Sequence, residues 1–372
     1  MRITRVEPIL LRLPEIELRA DGTQDAFIVR IDTDEGLYGI GEADTAPSVA
    51  RAAVDMQASH AIAQGLGELV VGRNPLEIEP IWHDLYEKSV HFGHRGVALH
   101  AISAIDIALY DLAGKILGQP VHTLLGGAYR DRVPVYASAL MPWTLDGVRE
   151  LVSSYRGQGY RAVKLGWGPI GQDVRQDVEL VRTAREACGP ELDLMIDAGR
   201  VWTWKQALQM SRRFEEFELS WLEEPLPVDD LDGYARLCEH SALRIASAEN
   251  ETTIFAFREW IERAGLDIVQ PDLARCGGFT QARRIAALTW EKNRAMVPHA
   301  FSTGILVAAS LHMTAAMPHG TLTEFSVADG PLVRDLLEDP FTLEDDGTVL
   351  VPTAPGLGIE LNASVVERFR VA

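Results

Sequence analysis

Three acids stand at even intervals in this chain. Asp197 ends the apolar run Leu192-Asp193-Leu194-Met195-Ile196, Glu223 follows Trp221-Leu222, and Glu249 follows Ile245-Ala246-Ser247-Ala248. Successive members lie 26 residues apart, near the length of one strand-plus-helix unit in a (β/α)8 barrel of about 250 residues. Oxygen ligands at three successive strand ends would make a site for a hard divalent cation, and Mg2+ is the natural occupant of such a set. Glu224 follows Glu223 directly and competes with it for the ligand position. Side chains alternate along a strand, so only one of the pair can point straight into a barrel mouth. The residues alone leave that choice open.

The next strand ends continue the series, with Gln270-Pro271-Asp272, Val297-Pro298-His299 and Leu322-Thr323-Glu324. In a barrel, Asp272 and His299 would sit on neighbouring strands and hydrogen-bond. The carboxylate then fixes the imidazole tautomer and stabilises its protonated form, which makes a general base. The competing reading, that each acid caps the helix after it, explains one acid at a time but not a series. Lys164 lies inside the apolar strand Ala162-Val163-Lys164-Leu165. Burying an unpaired ammonium is costly, so Lys164 is expected to face the carboxylates.

Two further motifs compete for attention. Gly166-Trp167-Gly168-Pro169-Ile170-Gly171 fits the dinucleotide-binding pattern G-x-G-x-x-G, with Asp197 placed where a ribose-binding acid would stand. The bulky Trp167 and Pro169, and the place of Asp197 in a wider acidic series, favour a plain loop. His91-Phe92-Gly93-His94-Arg95-Gly96 reads equally as a specificity loop and as a turn.

The elements that must hold these residues fall into two parts. Residues 1–127 lack a strand-helix rhythm: strands are expected over 3–11, 26–32 and 37–41, and a helix over 97–117 with Gly118 as its stop. From residue 133 strands and helices alternate. Strands are expected over 133–138, 161–165, 192–197, 219–223, 244–248, 267–270, 295–297 and 321–325, each followed by a helix except the last. That order specifies a parallel barrel over 128–341 rather than a doubly wound sheet, with its chemistry at the strand C-terminal ends. The Pro- and Gly-rich stretch over 342–372 is expected to return to the first domain.

Composition bounds the remainder. At 372 residues, 47% hydrophobic and 24% charged, the chain suits a barrel plus a smaller α+β domain. No run approaches the roughly 18 apolar residues of a membrane span, and the start lacks a signal peptide. Three scattered cysteines, Cys188, Cys238 and Cys276, argue against a disulfide framework and suit a reducing cytoplasm. A formal net charge of −19 disfavours nucleic acid as a partner. It leaves room for an anionic small molecule, because a divalent ion and a lysine can make one site locally positive.

With these residues assembled, the chain resembles the enolase superfamily, in its mandelate-racemase-like subgroup. The matching motifs are Ile196-Asp197-Ala198-Gly199, Trp221-Leu222-Glu223-Glu224-Pro225, Ala248-Glu249-Asn250, Gln270-Pro271-Asp272 with Cys276-Gly277-Gly278, Pro298-His299, Glu324 and Pro355-Gly356-Leu357-Gly358. The resemblance implies an α/β fold, a modified TIM barrel (β/α)7β with an α+β capping domain formed from both termini, and a symmetric homo-oligomer. It makes Asp197, Glu223 and Glu249 magnesium ligands, Asp272 and His299 the base dyad, and Glu324 a hydrogen-bonding electrophile. Racemases of the subgroup carry Lys-x-Lys on the second barrel strand, whereas here the matching residues are Lys164, Leu165 and Gly166. With the opposite-face base missing, the expectation is a dehydratase of a sugar acid, an aldonate or aldarate. A racemase, epimerase or cycloisomerase is the alternative, and a metal- or nucleotide-binding protein without turnover the remote one.

Overall fold

The computed structural model describes residues 1–19 and 21–371. Its first domain is an antiparallel sheet of β1 (Ile3–Arg12), β2 (Asp25–Thr33) and β3 (Tyr38–Ala43) in sequential order. The sheet packs on the helix Val97–Leu117, which Gly118 ends in the left-handed conformation. Glycine at 39 and 41 lets β3 lie flat on that helix: a Cβ at either position would come within 2.1 Å of a helix carbonyl. One expectation needs correcting here, because this 21-residue helix is long and apolar enough to cross a membrane. It is buried through most of its length and forms the core of the capping domain.

The second domain begins with β4 (Arg132–Leu140). Its parallel ladder continues through β5 (Ala162–Gly166), β6 (Asp193–Asp197), β7 (Trp221–Glu223), β8 (Ile245–Ser247), β9 (Ile268–Val269) and β10 (Ala295–Met296), and β11 (Thr323–Ser326) pairs with the free edge of β4. Tyr136, Ala162, Met195, Trp221, Ala246, Ile268 and Val297 form one buried cluster, to which Leu322 is packed. Inward residues from β4 to β9, with Val297 just after β10 and Leu322 just before β11, meet at a common centre, which is the packing of a closed barrel. At the seam between β10 and β11, the Ala300 N–H donates to Glu324 Oε2 at 2.7 Å.

The C-terminal segment divides its contacts. β12 (Thr348–Leu350) pairs antiparallel with β4, whereas the Val371 N–H donates to the Leu10 carbonyl at 2.9 Å, beside the bridge from Leu11 to Arg370. Asp111, buried in the long helix, accepts from the Ile40 and Leu357 N–H groups at 2.9 and 2.8 Å and so ties the first domain to this segment.

Candidate active site

Strand ends of the barrel meet the capping domain around a cavity of about 350 Å³. Lys164, Asp197, Glu249, Arg275, His299 and Glu324 line it from the barrel, and Arg19, Asp21, Gly22 and Asp44 line it from the capping domain. Ala20, next to Arg19 and Asp21, lies outside the described residues. Backbone strain concentrates at these strand ends: Trp167, Arg200, Glu224, Ala248 and Thr253 all have positive φ, between 39° and 87°. Non-glycine residues hold such conformations only where the surroundings over-determine them, most often at functional sites.

Strand parity decides between the paired acids. Trp221 points into the barrel, and Glu223, two residues on, shares its face. The two meet there, with Trp221 Nε1 donating to Glu223 Oε2 at 2.8 Å. Gln270 Nε2 donates to the same oxygen at 2.7 Å, and the Lys164 ammonium pairs with Oε1. Glu224 is turned aside by its φ of +39°. Its Oε1 accepts from Asn250 Nδ2 at 3.1 Å, and its buried Oε2 lies 3.5 Å from Arg200 Nε.

Asp197 sits in register with both Gly166 and Glu223. It accepts from the Gly199 N–H at 2.8 Å and from Trp167 Nε1 at 3.0 Å. Burial first, and the charge of Glu223 next, push its carboxyl up to about 8. Burial and the charges of Glu249 and Asp197 likewise push Glu224 well above the ordinary carboxylate range. The neighbouring carboxylates thus raise the proton affinity of Asp197 and Glu224, a repulsion that a bound cation relieves. The donors are all oxygen, so the residues fit Mg2+. Asp44, Asp272 and His299 also bring ligand atoms within 4.8 Å of one another. That group is a poorer cation site, because the Arg275 guanidinium already lies 2.6 Å from Asp44 and 3.8 Å from Asp272.

His299 and Asp272 meet across a parallel bridge between their strands, with Nδ1 2.7 Å from Asp272 Oδ2. An acceptor at Nδ1 places the proton of a neutral ring there and leaves the Nε2 lone pair facing the cavity. Nε2 lies 3.3 Å from Glu249 Oε2 and 3.7 Å from Glu324 Oε2. Burial opposes protonation of the ring, but Glu249 and Glu324 outweigh it and raise His299 to about 10. Burial likewise works against the Lys164 ammonium. Glu223 and Glu324 overcome it, the latter at 2.8 Å, and hold the lysine well above its usual value. Glu324, opposed by burial and favoured by Lys164 and His299, falls to about 2.

The glycine-rich loop does not present an anion cradle. The Gly171 N–H already donates to Asp177 at 3.0 Å, and Asp173 caps the helix Val174–Cys188 by accepting from Arg175 and Gln176 at 2.9 Å each. Trp167 from the same loop reaches back to Asp197 instead. A dinucleotide reading of this loop is thereby overturned, since protein carboxylates occupy the positions that phosphates would take. Neither His91 nor His94 lines the cavity. His91 stands 6.2 Å from the His60 ring, and His94 stands 5.9 Å from Tyr86. Sequence reasoning missed Arg275, Asp44, Gln270 and the Trp167 indole. Arg275 follows Asp272 by three residues, so its place near the dyad was the one accessible signal.

Comparison with known proteins agrees with this geometry. Residues 3–126 match the mandelate racemase / muconate lactonizing enzyme N-terminal domain, and residues 147–365 match the enolase C-terminal domain-like family. The chain is 34% identical over 356 residues to the D-galactarolactone cycloisomerase of Agrobacterium fabrum, covering 92% of this chain and 91% of that one. It is 30% identical over 347 residues to the L-rhamnonate dehydratase of Saccharopolyspora erythraea, covering 91% and 84%. Among solved structures, a racemase from Streptomyces coelicolor A3(2) with bound magnesium superposes with a TM-score of 0.87 at 31% identity, over 99% and 100% of the two chains. Three reaction names on one scaffold mean that likeness alone does not fix the reaction. With both domains matched over nearly the full length, the chain belongs to the enolase superfamily, in its mandelate-racemase-like subgroup.

Proposed function

We propose that this protein is a Mg2+-dependent hydro-lyase that dehydrates a sugar acid, an aldonate or aldarate, to a 2-keto-3-deoxy acid. The observation that carries the reading is the space at Gly166, where a Cβ would lie 2.3 Å from the Asp197 Cβ and 2.5 Å from its carbonyl oxygen. That position cannot hold a second base opposite His299. Racemisation takes a proton from one face and returns it on the other, whereas elimination runs with a single base.

Asp197, Glu223 and Glu249 would hold the metal. When bound, it supplies positive charge that polarises the substrate carboxylate and weakens the hold of Glu249 on the His299 proton. His299 Nε2, freed as a base and oriented by Asp272, takes the C2 proton. The C–H electrons pass into the carboxylate to form an enediolate. Lys164 stands as a fixed cation where its oxygens gather charge, and the ionised Glu324 carboxylate orients that ammonium from 2.8 Å. The C3–O bond then breaks, and His299 returns its proton to the departing hydroxide as water. The enol takes up a proton at C3 to give the keto product.

A second reading draws on the likeness to a cycloisomerase. There the departing oxygen belongs to the substrate's own ring, so the chain opens without losing an atom. Product mass separates the two. Incubation of aldonates, aldarates and their lactones with enzyme and Mg2+ is expected to give a 2-keto acid lighter than its substrate by one water. An open-chain keto acid of the same mass as its cyclic substrate would transfer the assignment to ring opening.

A further inference from the structure

The loops that carry His299 and Asp272 are both gripped by the same short piece of the capping domain. At the end of β3, Glu42 is completely buried and accepts four hydrogen bonds from the chain just beyond His299. Its Oε1 accepts from Ser302 Oγ at 2.7 Å and the Thr303 N–H at 3.3 Å, and its Oε2 from Thr303 Oγ1 at 2.8 Å and the Leu306 N–H at 3.0 Å. The last of these is an unpaired donor of the first turn of the helix Gly304–Ala315, where a carboxylate is favoured by the helix dipole. Two residues on, Asp44 holds Arg275, whose Nη2 lies 2.6 Å from Oδ2 and whose Nε donates to the Asp44 carbonyl at 3.2 Å. Arg275 leaves the turn that begins at Asp272, and the Arg275 N–H donates to the Asp272 carbonyl at 3.0 Å. The same guanidinium reaches Glu249 at 3.3 Å.

We infer that Glu42 and Asp44 are positioning residues for the base dyad: Glu42 fixes the loop that follows His299, and Asp44, through Arg275, fixes the turn that follows Asp272. This rests on the reading of His299 and Asp272 as the base pair. Its physical content is that the dyad joins two loops of different strands. Their 2.7 Å contact persists only while both loops keep their relative height. β3 supplies that common reference, because Gly39 and Gly41 seat it against the long helix with no slack. Glu42 is fully buried away from the cavity lining, and Asp44, which does line the cavity, reaches the dyad through Arg275. The capping domain thereby sets the geometry of the base as well as covering the cavity.

The test uses the full-length protein with Glu42→Gln and Asp44→Asn. Glu42→Gln keeps the shape but turns an N–H2 toward donors that need an acceptor, and Asp44→Asn releases the Arg275 guanidinium. The first readout is the proton resonance of His299 Nδ1, assigned by its loss in His299→Asn. Both variants are expected to shift or broaden it. They are also expected to lower kcat on the order of tenfold to a hundredfold, the usual cost of misplacing a reacting group by about 1 Å. For Glu42→Gln, which lies outside the cavity lining, KM and Mg2+ affinity by calorimetry should change by less than about threefold, which a general loss of folded protein would not explain. Asp44→Glu, which keeps the acid, should recover most of kcat. If Glu42→Gln fails to fold, Ser302→Ala removes one donor without adding a buried mismatch and is expected to act in the same direction more weakly. An unchanged His299 resonance with unchanged kcat in the variants overturns the inference. If the wild-type protein turns over no sugar acid, the reaction assignment fails separately, and the resonance still decides the clamp.

Discussion

A side chain at position 166 has nowhere to go, and this single fact organises the chemistry on one side of the cavity. Any Cβ there meets Asp197, so Gly166→Ala should push Asp197 off its position. Calorimetry is expected to show Mg2+ affinity reduced on the order of tenfold to a hundredfold, the usual effect of disturbing a ligand's supports. Gly166→Lys, which restores the racemase pattern in sequence, should lose activity and gain no racemisation. An inverted substrate from that variant would contradict the steric argument. On the opposite side, His299→Asn should abolish turnover while magnesium binding is kept, and residual elimination would remove His299 from the role of base. The principal residues were legible because each acid ends an apolar strand at barrel spacing, a pattern that helix capping does not produce. The pair Glu223 and Glu224 was not resolvable that way, since the deciding fact is that Trp221 faces the barrel centre. Arg275 and Asp44, 231 residues apart, meet only through domain docking, which no local pattern encodes.

At the scale of elements, the strand-helix alternation was readable, although β9 and β10 are only two residues each. Such short strands are recognisable from the order of their neighbours and not from their own length. What was hidden is how the helices are tied to the C-terminal segment. In the helix Gly304–Ala315, His312 is buried, with Nε2 3.1 Å from the Leu357 carbonyl and Nδ1 3.1 Å from His122 Nδ1. Burial lowers His312 to about 3, from an ordinary value of 6.5. A depressed histidine contributes stability that is complete above pH 6.5 and is lost as pH falls toward 3, by up to about 1.4 kcal/mol per pH unit. Urea unfolding of wild type and His312→Asn should therefore show a stability gap that is widest near pH 7 and narrows on acidification. A gap independent of pH would mean that His312 acts by packing alone.

For the whole molecule, two domains enclose one charged cavity, and the net charge of −19 says little about it. Within the cavity, Arg19, Lys164, Arg275 and His299 face Asp21, Asp44, Asp197, Glu249 and Glu324, which leaves the acids in excess even with His299 protonated. A cation that binds the folded site alone should stabilise the protein by about 2.7 kcal/mol at a concentration one hundred times its dissociation constant. Thermal unfolding is expected to move upward with Mg2+ in wild type and to stay fixed in Asp197→Asn. A shift of equal size in both would place the cation elsewhere. The central claim is elimination by a single base, and one measurement addresses it directly. The wild-type enzyme is incubated with Mg2+ in heavy water against a panel of aldonates and aldarates, with both product and recovered substrate analysed by mass spectrometry and NMR. The expected result is a 2-keto-3-deoxy acid that has lost one water, carries deuterium at C3, and is accompanied by substrate of unchanged configuration. Recovered substrate inverted at C2 and carrying deuterium there, with no keto acid formed, would contradict the account.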